Sequence, residues 1–179
     1  YGARVASFPN PAKDSRLTGE QINAAAHFLF LGASANGITE PTKLDKIAAR
    51  GQMLQKRISA DRNAADYAGA CEAAFPETKA DAFKGLPADS SDTRMMCYTL
   101  STALLQVYEA SKVVPDERSS TYVRLNDQHD ARLLSEIRAA GNPNVAELAG
   151  RAIRVLAQAI QLGPLTRVMK ACTDRYLES

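Results

Sequence analysis

The chain has 179 residues, 45% of them hydrophobic and 23% charged, and its 22 Lys+Arg against 20 Asp+Glu leave a net charge of +2. That balance belongs to a folded chain large enough to bury a core unaided, and it excludes disorder and collagen-like repeats. So small a charge implies no nucleic-acid surface, and the most apolar stretch, Ile22 to Ala35, is shorter than the roughly 18 residues of a membrane-spanning helix and is broken by Asn23, His27, Gly32 and Ser34.

Residues 1–16 carry Gly2, Pro9, Asn10 and Pro11 without an apolar period and read as an extended arm. Residues 17–179 read as one bundle domain. The first helix is expected from Thr18, where Thr18-Gly19-Glu20-Gln21 has the form of a capping box. It carries Ile22, Ala25, Ala26 and Leu29 and is expected to stop by Gly32, with a turn at Asn36-Gly37. A second start lies at Thr39-Glu40-Pro41, since proline suits the first helical position. Leu44, Ile47, Gly51, Leu54 and Ile58 then recur at steps of three and four, and Ala64, Tyr67, Ala68, Cys71, Ala74 and Phe75 continue the stripe. The spacing predicts one long helix ending before Pro76.

A short helix over Glu77–Lys84 is expected before Gly85-Leu86-Pro87. Ser90, Ser91 or Asp92 then caps a helix with Met96, Leu100, Ala103, Leu104 and Val107 on its apolar face. Val114-Pro115-Asp116 starts the next, which aligns Leu125, His129, Leu133, Ile137 and Ala140. After Gly141-Asn142-Pro143 a further helix sets Leu148, Ala149, Ala152, Leu156, Ala159 and Ile160 against Arg151, Arg154, Gln158 and Gln161. Gly163-Pro164 separates it from a terminal helix containing Val168 and Cys172. Abundant alanine, few β-branched residues and no alternating segment give an all-α chain. Its short connections imply a single antiparallel helical bundle of about five to seven helices. Leu54, Leu100, Leu104, Ile137, Leu156 and Ile160 are the expected core.

The three cysteines form no Cys-x-x-Cys, which excludes thioredoxin-type, c-type haem and zinc-ribbon motifs. Cys71 near the end of one expected helix and Cys97 near the start of another stand at equal height in a hairpin, so a Cys71–Cys97 disulfide is expected, with Cys172 left over. The first residue is Tyr1 rather than Met. Either a leader has been removed or the sequence starts inside its gene. With the expected bridge this favours a periplasmic or secreted protein over a cytoplasmic one.

Few residues offer chemistry. His129 lies in the polar run Asn126-Asp127-Gln128-His129-Asp130, yet on the apolar stripe, and reads as a core or boundary histidine; the Glu-x-x-His of di-iron bundles is absent. His27, among alanines and phenylalanines, is expected buried and neutral. Gly32-Ala33-Ser34-Ala35-Asn36-Gly37 fits neither a nucleophile elbow nor a phosphate loop and follows a helix instead of a strand. Lys43, Lys46, Arg50, Lys56, Arg57 and Arg62 load one helix and read as a solvated face, with docking of an acidic partner or an anionic membrane surface as the functional counterpart. Phe28, Phe30, Met96, Tyr98 and His129 are the candidates for lining a small pocket between helices. No cofactor, metal or nucleic acid is implied. The reading is an exported, non-enzymatic helical domain that binds a partner protein or a small apolar ligand. The alternatives are an enzyme using His129 with Asp127 or Asp130 as acid and base, and a cytosolic regulatory bundle with reduced thiols.

Overall fold

The computed structural model describes residues 19–35, 53, 64–79, 81–110, 116–139, 141 and 144–177. The arm over 1–16, the Thr18 cap, the start at Thr39, the stripe from Leu44 to Ile58 and the basic face from Lys43 to Arg62 lie outside the described residues, as do the side chains of Leu133 and Ile137. Six α-helices are described: α1 (Gly19–Ala35), α2 (Ala64–Ala74), α3 (Ser91–Ala110), α4 (Glu117–Ala139), α5 (Val145–Gln161) and α6 (Leu165–Tyr176). No strand occurs among the described residues, and the all-α bundle is as expected.

Local chemistry accounts for the helix ends. The Ser90 hydroxyl accepts the Thr93 amide at 3.1 Å and so caps α3. Asp116 caps α4 reciprocally: the Ser119 amide donates to Asp116 Oδ1 at 2.9 Å and the Asp116 amide to Ser119 Oγ at 2.8 Å. The Asn144 side chain accepts the Ala146 amide and starts α5. Two expectations about local structure are corrected. Helix α1 does not stop at Gly32 but runs to Ala35, because one glycine costs a helix only about 1 kcal/mol. Among the described residues of 77–84 there is no α-helix; a 3-10 turn at Pro76–Thr78 is followed by irregular chain over 81–84.

That irregular chain is held by the α5–α6 corner. The Lys84 amide donates to the Leu162 carbonyl at 2.8 Å. Gly163 sits at φ +140°, and a Cβ there would stand 2.6 Å from the Phe83 Cα. Both the dihedral and the close approach demand glycine.

Helix α3 is the hub, packing against α1, α4, α5 and α6. It buries Met95, Met96, Cys97, Leu100, Ala103, Leu104, Val107 and Tyr108, more than a single stripe. Leu100, Leu104 and Ile160 are inaccessible as expected, whereas Leu156 is only partly buried and Ala149 is exposed. On α6, Leu165, Val168, Met169 and Cys172 recur at i, i+3, i+4 and i+7 and are all buried.

The disulfide corrects the expected pairing. Cys97 on α3 is bonded to Cys172 on α6, with Cα atoms 5.6 Å apart, and Cys71 is the free, half-buried cysteine. The expectation treated α2 and α3 as a hairpin with matched heights. Among the described residues α2 instead packs on the 3-10 turn, and Asp66, Tyr67, Gly69, Ala70, Ala73 and Ala74 are exposed. Cys71 therefore has no buried seam with α3, while the buried stripe of α6 carries Cys172 onto Cys97.

Candidate functional site

The five residues expected to line a pocket do not form one site. Phe30 and Met96 are packed into the core, and Phe28 and Tyr98 are half-buried. His129 is buried and meets the Tyr176 ring edge-on, with centroids 5.4 Å apart. Asp127 and Asp130 are two residues before and one after His129, so helical geometry projects them from other faces of α4. Asp130 stands instead by Tyr98, whose phenol is pushed up by burial first and by Asp130 second. His27 is buried, and its Nε2 donates to the Ile160 carbonyl at 2.7 Å, so that nitrogen holds the proton. Burial lowers its pKa and keeps it neutral. Among the described residues no cluster of His, Cys, Asp and Glu could hold a metal.

A groove of about 430 Å³ opens between the start of α4 and the first nine residues of α6. Helix α4 contributes Glu117, Arg118, Thr121 and Tyr122, and α6 contributes Thr166, Arg167, Lys170 and Thr173. The two helices run parallel, since their early residues share this groove while His129 and Tyr176 meet further along. Helix α5 brings the chain back between them. Their positive dipole ends therefore lie at the same end of the bundle.

The polar face of α6 is the consequence of its buried one: Leu165, Val168, Met169 and Cys172 turn inward, so Thr166, Arg167, Lys170 and Thr173 face out. Thr173 donates to the Lys170 carbonyl at 2.8 Å and Thr121 to the Glu117 carbonyl at 2.7 Å, so both hydroxyls are held by their own helices. Lys170 Nζ bonds both carboxylate oxygens of Asp174, at 2.6 and 2.8 Å.

Beneath the groove lies a buried polar network. Asn23 Nδ2 donates to the Tyr122 hydroxyl at 2.9 Å, and the Tyr108 hydroxyl donates to Asn23 Oδ1 at 2.7 Å. The Tyr108 hydroxyl is also 3.1 Å from the Gly19 carbonyl, and the two tyrosine rings are 6.1 Å apart. Burial pushes both phenols up, that of Tyr108 well above the usual tyrosine range, so both stay protonated. A Cβ at Gly19 would stand 2.8 Å from Asp116 Oδ2, so α1 starts against the cap of α4. Three helices are thereby pinned around Tyr122, which forms the groove wall.

Sequence reasoning missed this groove. The residues Thr166, Arg167, Lys170 and Thr173 were visible as the polar face of a helix, but nothing in the chain's order says that α4 lies beside it. No protein-family model matches the chain, and no curated protein or solved structure is significantly similar to it. No helix among the described residues is long and apolar enough to cross a membrane.

Proposed function

We propose that this chain is a non-enzymatic binding domain that receives a protein partner in the groove between α4 and α6. The observation that supports this is the groove itself, an open trough of about 430 Å³, as much apolar as polar, between α6 and the α4 helix that Tyr122 pins to α1 and α3. Pockets for small ligands are more often enclosed. The interior positions Phe30 and Met96, expected to line such a pocket, are filled core. A partner protein is therefore favoured over a small apolar ligand. The Cys97–Cys172 bond supports a place in an oxidising compartment, periplasmic or secreted, because such bonds are rare where thiols are kept reduced.

The test is an unbiased peptide-display selection against the immobilised domain, followed by amide chemical-shift mapping of the recovered sequences. Shifts centred on Thr121, Thr166 and Thr173 are the expected result. Selected peptides that leave those amides unmoved would remove the groove as the binding face.

A further inference from the structure

We infer that the last turn of α6 covers the Cys97–Cys172 bond, with Tyr176 as its lid, so that thiol reductants reach the bond only when that turn opens. Cys97 and Cys172 are both inaccessible, at 0% exposure, and belong to the same buried cluster as Leu100, Val168 and Met169. A disulfide exchanges only when a thiolate approaches one of its sulfurs, and a charged thiolate does not pass through packed apolar side chains. Some part of the fold has to move first.

The bond itself decides which part that is. Cys172 is tethered to α3, so α6 as a whole cannot swing away while the bond is intact. The stretch before Cys172 is held at both ends, by the bond and by the corner at Gly163, where the Lys84 amide donates to the Leu162 carbonyl. The last helical turn, Thr173 to Tyr176, lies beyond the tether and has no such restraint. Tyr176 stands four residues after Cys172, one turn along the same face, and a helical side chain leans back over the preceding turn. Tyr176 and Leu177 accordingly pack against the cluster that holds both cysteines. Two other elements keep the ring in place. Its hydroxyl donates to Asp89 Oδ1 at 2.8 Å, ahead of α3, and its ring meets that of His129 on α4 edge-on. Beside it Arg175 Nη1 donates to the Pro87 carbonyl at 2.6 Å. Exposed hydrogen bonds at the end of a helix open locally far more often than the core beneath them.

With the lid open, exchange with a dithiol is balanced. One thiolate of the reductant bonds to a cysteine sulfur, and the other sulfur leaves as a thiolate and takes up a proton. The second thiol of the reductant then displaces that cysteine, which releases the second protein thiol and a cyclic disulfide of the reductant. The α6 wall of the groove thereby loses its covalent tie to the hub helix α3.

The test is reduction of the native full chain by dithiothreitol, quenched at intervals with iodoacetamide, so that mass spectrometry follows the thiols from one to three. The folded protein should be reduced more slowly than the guanidinium-denatured chain by on the order of 100-fold. Tyr176→Ala removes the lid and should speed native reduction about tenfold, whereas Tyr176→Phe keeps the ring, loses Asp89 and should speed it about threefold. Leu148→Ala on α5, partly buried against the core, is the control for stability alone. It should lower the urea midpoint at least as much as Tyr176→Phe yet leave native reduction within about twofold of wild type. Native reduction as fast as in guanidinium would overturn the inference, as would unchanged rates in both Tyr176 variants. Rates that track the urea midpoint whichever residue is changed would also overturn it, because the bond would then open only with the whole fold.

Discussion

The sulfurs of Cys97 and Cys172 are bonded across α3 and α6, joining the hub helix to the last helix of the bundle over 75 residues of sequence. A cross-link of that span constrains the unfolded chain by only about 1 kcal/mol more than the 26-residue separation of Cys71 and Cys97 would, because loop entropy grows as the logarithm of length. The chain-entropy relation puts the stabilisation at about 4–5 kcal/mol. Replacing both residues by Ala should lower the urea midpoint accordingly, and Cys71→Ala should leave it nearly unmoved. In unreduced, denatured protein one thiol should titrate with Ellman's reagent, and blocking followed by peptide mapping should place it at Cys71. A thiol found at Cys97 or Cys172 would refute the pairing.

The network under the groove should be costly to interrupt. Asn23→Leu adds apolar surface at a fully buried position, yet it takes the Asn23 donor from the Tyr122 hydroxyl and leaves the Tyr108 hydroxyl only its longer bond to the Gly19 carbonyl. Leaving a buried polar group unsatisfied costs about 1–3 kcal/mol, which offsets what the extra methyl groups return. Asn23→Leu should therefore destabilise in equilibrium denaturation, and Tyr108→Phe should cost less because it removes one hydroxyl outright. Equal or greater stability for Asn23→Leu would show that the three groups do not act together.

His27 gives the fold an acid-side sensitivity. Its folded pKa is lowered by burial, so below the unfolded value of about 6.5 the unfolded chain takes up a proton that the folded one refuses. Stability should fall as pH drops from about 6.5 towards the folded pKa, at up to about 1.4 kcal/mol per pH unit from this group, and level off below it. Above about 6.5 the residue is neutral in both states and contributes no slope. His27→Gln keeps a donor for the Ile160 carbonyl and removes the titration, so its denaturation midpoint should vary less between pH 7.5 and 5. A variant with the wild-type slope would assign the acid sensitivity elsewhere.

Two glycines should respond with opposite signs. A Cβ at Gly32, inside α1, meets nothing within 4 Å, so Gly32→Ala should stabilise by about 0.5–1 kcal/mol. Gly163→Ala would drive a Cβ into the Phe83 backbone at positive φ and should destabilise by more than about 1 kcal/mol. Thermal melts of the two variants should straddle that of the wild type. A neutral Gly163→Ala would mean that the chain around Phe83 gives way at no cost.

Helix content, most helix boundaries and the inward turn of Leu100, Leu104, His27 and His129 are determined by the sequence itself. They follow from spacing and capping chemistry, which act over a few residues. The same local signals misplaced the end of α1, because tertiary burial of Ile22, Leu29 and Leu31 carries the helix past one glycine. The partner of Cys97, the groove between α4 and α6, and the bracing of Tyr122 by Asn23 were decided only in three dimensions. Periodicity fixes which face of a helix is buried, not which helix it is buried against. Cys71 and Cys172 both lie on helical stripes, and what separates them is that α6 is folded onto α3 while the exposed α2 is not.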